Sequence, residues 1–139
     1  MTSTITLFYA GLLGVFMSAL SIRVPMRRGA LGVTWGDGND DELATRIRAF
    51  GNFIEYVPAI LVVMMVLEGA GASPAFLHGL GIALVAARGL HAYWLRRQSE
   101  ELSLPAKIGR ASGAMLTWLV LLTGSGYALA LATGVVVPP

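Results

Sequence analysis

Four long apolar stretches separated by short polar connections dominate the chain. They cover about residues 4–24, 50–67, 74–95 and 108–137. A helix needs about 20 apolar residues to cross the ~30 Å hydrocarbon core of a bilayer, and each stretch meets or approaches that length. The pattern predicts an all-α integral membrane four-helix bundle, with residues 1–139 forming a single four-span domain.

The composition agrees with a membrane protein. Of the 139 residues, 55% are hydrophobic and only 13% are charged, and the mean hydropathy is +0.69. A soluble domain carries roughly a quarter charged residues. The chain has no cysteine and its two histidines, His78 and His91, lie far apart, so neither a disulfide nor a metal site is expected. No nucleic-acid partner is expected either.

The basic residues are distributed asymmetrically and predict an orientation. In a four-span arrangement all of them fall in or near the connections between spans 1 and 2 or spans 3 and 4. They are Arg23, Arg27, Arg28, Arg46, Arg48, Arg88, Arg96, Arg97, Lys107 and Arg110. The positive-inside rule places both connections in the cytoplasm and both termini on the opposite side. The first stretch lacks the basic segment of a signal peptide, so we expect it to be retained.

A polar stripe interrupts the second apolar stretch. Arg48, Asn52 and Glu55 have the spacing i, i+4, i+7, which places them along one side of a helix. Ionisable groups at bilayer depth are costly and usually face a partner, a cavity or a ligand. The second helix is expected to run from near Asp40 to about Glu68. The preceding DGNDD segment is interpreted as a glycine turn and an Asp N-cap rather than a calcium loop.

Further cationic groups are predicted at the same, cytoplasmic end of the bundle. They are Arg23, Arg88, His91 and Arg110. Since Glu55 is the only carboxylate in this group, the surplus of positive charge suggests an anionic ligand supplied from outside, one with carboxylates and an amine.

Several structural alternatives stay open at this point. The stripe of Arg48, Asn52 and Glu55 could form an inter-helix network, and His91 could be a packing hydrogen bonder. Arg110 could extend to the interface, and Arg23 could anchor the end of the first span there.

The segment RIRAFGNFIEYVPAILVVMMVLE resembles the second helix of the membrane-associated proteins in eicosanoid and glutathione metabolism, the MAPEG family. The resemblance extends to WGDGNDDELATRIRAFGN, ARGLHAYWL and RASGAMLTWLVLL, with details of the bacterial branch. It implies a homotrimer in the bacterial inner membrane, with glutathione bound between subunits near the cytoplasmic side. It also implies a lipophilic second substrate that enters from the lipid bilayer.

The resemblance carries roles to individual residues. The residues that match glutathione-binding or pocket-lining positions are Arg23, Arg48, Asn52, Glu55, Tyr56, Arg88 and His91. Arg110 matches the helix 4 arginine that stabilises the glutathione thiolate in the family, so the resemblance implies a glutathione-dependent transferase or peroxidase. One departure is Leu95, where some members have tyrosine. This departure favours the alternative, a non-catalytic protein of the same fold that binds an anionic ligand or lipid.

Overall fold

The computed structural model describes residues 4–96 and 104–137 and contains four helices. They are α1 (Thr4–Leu31), α2 (Asp41–Gly69), α3 (Pro74–Arg96) and α4 (Leu104–Ala132). Each contains a segment long and apolar enough to cross a membrane. The prediction of an all-α integral membrane four-helix bundle is therefore confirmed.

Two helix ends differ from the predicted spans. Helix α1 continues through Pro25 to Leu31, beyond the apolar limit near residue 24. The helix therefore extends into polar sequence. Helix α4 stops at Ala132, before the apolar limit at residue 137. Gly134 adopts a left-handed φ of 71° there, and the N–H of Val136 bonds back to the carbonyl of Ala130 at 3.2 Å. Such a glycine turn ends a helix without any change in hydropathy.

One apolar core joins all four helices. Its buried members include Leu13 of α1, Met64 of α2, Leu84 of α3 and Val120 of α4. Many large side chains on the outer faces are also apolar and exposed, as expected where lipid replaces water. Few polar side chains of the described helices are buried; they are Thr6, Arg88, His91 and Thr117.

Charged groups organise the connection between α1 and α2. Asp40 is the N-cap of α2, because its Oδ1 accepts the N–H of Leu43 at 2.7 Å, as the sequence predicts. Arg27 donates to both carboxylate oxygens of Asp40, at 3.1 and 2.7 Å. This bond from Arg27 holds the pKa of the Asp40 carboxyl below its usual range. Gly38 and Asn39, both inside DGNDD, take left-handed φ values of 60° and 56°, which makes this segment a turn followed by the cap.

The carboxylate of Glu68 joins the C-terminal end of α2 to the N-terminal end of α1. Glu68, in the last turn of α2, accepts the backbone N–H groups of Ile5 and Thr6 at 2.8 and 2.9 Å. The first turn of α1 has no acidic residue of its own. Glu68 therefore supplies the cap and the negative charge that the N-terminus of α1 needs, and it docks that helix against α2.

Replacing Glu68 with Ala is expected to destabilise the protein by about 1–2 kcal/mol, the usual effect of losing a helix cap. Thermal unfolding of the detergent-solubilised protein, followed by circular dichroism, measures the loss. Glu68→Gln keeps one accepting oxygen and is expected to lose less. Equal thermal unfolding midpoints for wild type and Glu68→Ala would show that this cap contributes nothing to the stability of the protein.

Candidate functional site

The structure places the predicted polar stripe along one side of α2, beside the buried face of that helix. Phe53 and Val57 point into the core, whereas the side chains of Arg48 and Glu55 are exposed. Asn52, between them, is half-buried. Arg48 and Glu55 belong to none of the ion pairs that join described side chains.

The centre of the site is the guanidinium of Arg88, which α3 places inside the bundle with only 2% of the residue exposed. Its Nη1 donates to Oδ1 of Asn52 at 2.6 Å and approaches the carbonyl of the same residue at 3.4 Å. Its Nη2 donates to the hydroxyl of Thr117 and approaches the carbonyl of Gly113 at 3.4 Å. Arg88 thus connects α2, α3 and α4 at one level.

The contact with Arg88 fixes the orientation of the Asn52 amide. A guanidinium carries five N–H donors and no acceptor, so the amide atom facing it must be the oxygen. The NH₂ group of Asn52 is consequently turned away from Arg88. Asn52 is half-buried and shares the side of α2 that carries Arg48 and Glu55, so this NH₂ group can donate a hydrogen bond to a ligand bound there.

The charge of Arg88 is not neutralised by a carboxylate among the described side chains. All its hydrogen-bond acceptors are neutral oxygens, and its buried Nε has no partner there. An uncompensated buried charge is costly, and a nearby anion lowers that cost. The electrostatics of this part of the bundle therefore favour a negatively charged ligand.

Close contact between α3 and α4 holds Arg88 and His91 in place. A Cβ built on Gly113 would lie 2.8 Å from the backbone nitrogen of His91, and one on Gly109 would lie 2.3 Å from the Trp94 ring. Since backbone cannot move aside easily, only glycine permits the observed helix separation at Gly113. The buried position of His91 beside α4 follows from this contact.

Replacing Gly113 with Ala is expected to push α4 away from α3 and to destabilise the protein by about 1–3 kcal/mol. Gly126→Ala is a matched control in the same helix, because no atom lies within 4 Å of its added Cβ. Thermal unfolding should show a lowered midpoint for Gly113→Ala alone. Similar midpoints for the two variants would contradict the tight α3–α4 contact.

The remaining predicted site residues lie elsewhere on the helices or have side chains outside the described part of the structure. Arg23, near the end of α1, is half-buried, and its carbonyl accepts a bond of 2.8 Å from Arg46. Tyr56 is half-buried one turn after Asn52 and packs against the core. Arg110 belongs to α4 and Leu95 to α3, but their side chains lie outside the described part of the structure.

Sequence reasoning missed Thr117 as a member of this site. Its hydroxyl receives the bond from Arg88 and donates to the carbonyl of Gly113 at 2.9 Å. The available signal was its isolation as the one polar side chain in the run AMLTWLVLL. A hydroxyl there satisfies a backbone carbonyl of its own helix, so the pattern does not reveal that it also meets an arginine.

Comparison with known proteins places the chain in a family. Residues 6–130 match the model of the MAPEG family. The chain is also 33% identical over 118 residues to the inner membrane protein YecN of Escherichia coli strain K12, covering 85% of each chain. YecN of Escherichia coli O6:H1 matches to the same extent. The four-helix architecture, the extent of the family match and these relatives agree: the chain belongs to the MAPEG family.

Proposed function

We propose that this protein is a bacterial inner-membrane enzyme that uses glutathione as co-substrate, as a transferase or peroxidase. The observation that carries the proposal is the buried cation of Arg88, which lacks a described carboxylate partner and is bonded to Asn52 in the polar stripe of α2. Membership of the MAPEG family and relatives named as inner membrane proteins support it.

Glutathione has the chemistry that this stripe would recognise. It carries two carboxylates, one ammonium group and several amides. Arg48 offers a fork of N–H donors suited to a carboxylate, and Glu55 offers an acceptor for the ammonium. Asn52 supplies amide donors between them, with Tyr56, Arg23 and His91 completing the pocket.

A second copy of the chain would complete the site. Arg48 and Glu55 are exposed on the outer face of α2, which would face lipid in a monomer. Because a charged side chain facing lipid is costly, a neighbouring subunit covering this face is favoured. We therefore propose a homotrimer with glutathione between subunits, consistent with the family.

The proposed chemistry uses the thiol of glutathione, since the chain has no cysteine. Arg110 stabilises the thiolate, whose sulfur attacks a lipophilic electrophile from the bilayer. A carbon–sulfur bond forms, and the leaving group departs or an activated double bond is saturated. With a hydroperoxide the sulfur attacks the terminal oxygen, the O–O bond breaks and the alcohol leaves. A second glutathione then converts the sulfenic acid to disulfide and water.

Isothermal titration of glutathione into the detergent-solubilised protein tests the proposal. We expect saturable binding by wild type and its loss in the Arg48→Ala, Glu55→Ala double variant. A matched control is Arg97→Ala, Glu101→Ala, which removes the same charges from the connection between α3 and α4. Absence of binding by the wild-type protein would overturn glutathione as co-substrate and favour a non-catalytic protein that binds another anion or lipid.

A further inference from the structure

We propose that Arg88 is a positioning residue that orients Asn52 toward glutathione and makes no contact with glutathione itself. This inference rests on the proposed function. It differs from a role as a pocket-lining ligand residue, because it assigns the recognition to the Asn52 amide and the support to Arg88 and Thr117.

Counting the donors of Arg88 supports this assignment. A guanidinium has four N–H groups on its two Nη atoms and one on Nε. The Nη1 group is directed at Oδ1 and the carbonyl of Asn52, and the Nη2 group at Thr117 and the carbonyl of Gly113. The remaining Nε is buried and unpartnered among the described residues. With the residue only 2% exposed, no donor is presented to a carboxylate outside.

The same contacts give Asn52 a fixed donor orientation. An asparagine amide alone can rotate so that either oxygen or nitrogen faces a ligand. The bond of 2.6 Å from Arg88 removes that choice, because only the oxygen can accept it. In this arrangement glutathione meets an amide whose donor and acceptor sides are already assigned, which lowers the cost of ordering Asn52 at binding.

Thr117 is the far end of this arrangement. Its hydroxyl donates to the carbonyl of Gly113 at 2.9 Å, which leaves its oxygen directed at Nη2 of Arg88. These hydrogen bonds form a relay from Thr117 of α4 through Arg88 of α3 to Asn52 of α2. We assign the contact with glutathione to Asn52 alone. Removing the Thr117 hydroxyl should loosen Arg88 and, through it, Asn52.

The test is a double-variant cycle of glutathione affinity using Thr117→Val and Asn52→Ala. Valine matches threonine in shape, so the variant keeps the fold more safely than a change at Arg88. We expect Thr117→Val to weaken glutathione binding roughly threefold to tenfold in the wild-type background. In the Asn52→Ala background it should have no further effect, because the group being positioned is gone. Thr133→Val is the control, since its hydroxyl also bonds a carbonyl four residues earlier but is exposed.

The outcomes distinguish the two proposals. An equal loss in both backgrounds would make Arg88 a direct ligand residue, and no loss in either would make the relay purely structural; both overturn the inference. Thermal midpoints of the same variants separate a loss of folded protein from a loss of affinity. No glutathione binding by the wild-type protein would overturn the proposed function, and the positioning role with it.

Discussion

Replacing Asn52 with Asp is expected to leave the bundle folded while strongly weakening glutathione binding. The aspartate has the same shape and offers an oxygen to Nη1 of Arg88, where the present distance is 2.6 Å. It also brings a negative charge to a buried cation that has no described carboxylate partner, so stability should be kept or raised. The two N–H donors are lost, however, and the new charge repels an anionic ligand.

We expect the affinity of this variant for glutathione to fall roughly tenfold to a hundredfold, since a polar group of the ligand loses its partner. Titration calorimetry and thermal unfolding of the same preparation measure the two properties. Asn39→Asp, in the exposed α1–α2 connection, makes the same change in charge and should bind glutathione normally. Undiminished binding by Asn52→Asp would mean that the amide donors of Asn52 are not used.

Arg88 differs from the other charged groups of the bundle in the partners it has, and this difference supports the proposed anionic ligand. Where α1 meets α2, Arg27 and Asp40 form an ion pair at 2.7 Å, so these charges are matched. At the opposite ends of these helices, Glu68 is satisfied by two backbone N–H groups. Arg88 is buried more deeply than any of these groups and has only neutral partners among the described residues. A closed structural network would be expected to oppose each charge, by a carboxylate as at Arg27 or by the positive end of a helix as at Glu68.

The helices could be predicted from the sequence because their signals are local. The apolar runs indicate the four spans, and the acidic residue after a glycine turn indicates the N-cap at Asp40, which the structure confirms. The apolar limits of the first and fourth stretches do not coincide with the ends of α1 and α4, because hydropathy reports what surrounds a segment rather than whether it is helical. Helix α1 continues to Leu31 in polar sequence, and α4 ends at Ala132 within apolar sequence.

The site could be predicted only as residues that share a helix face or one end of the bundle, without the contacts between them. Spacing within α2 groups Arg48, Asn52 and Glu55, but Arg88 lies 36 positions from Asn52 in the chain. Which donor meets which acceptor depends on the separation and rotation of whole helices, and these depend on contacts such as Gly113 against His91. No periodicity in one helix contains that information. The bond from Thr117 to Arg88 and the cap from Glu68 to α1 were missed for the same reason.

Replacing Arg110 with Ala is expected to abolish formation of the glutathione thiolate while glutathione still binds. A free thiol has a pKa of about 8.5, so little thiolate exists at neutral pH without a cation near the sulfur. Removing that cation should return bound glutathione to the thiol form and lower the rate of conjugation by at least tenfold.

Ultraviolet absorbance of the thiolate on adding glutathione, measured beside calorimetric binding, separates activation of the thiol from recognition of glutathione. Lys107→Ala removes a cation three positions earlier in α4 and should keep the thiolate signal. If Arg110→Ala forms thiolate as wild type does, another group activates the thiol and Arg110 is an interfacial anchor.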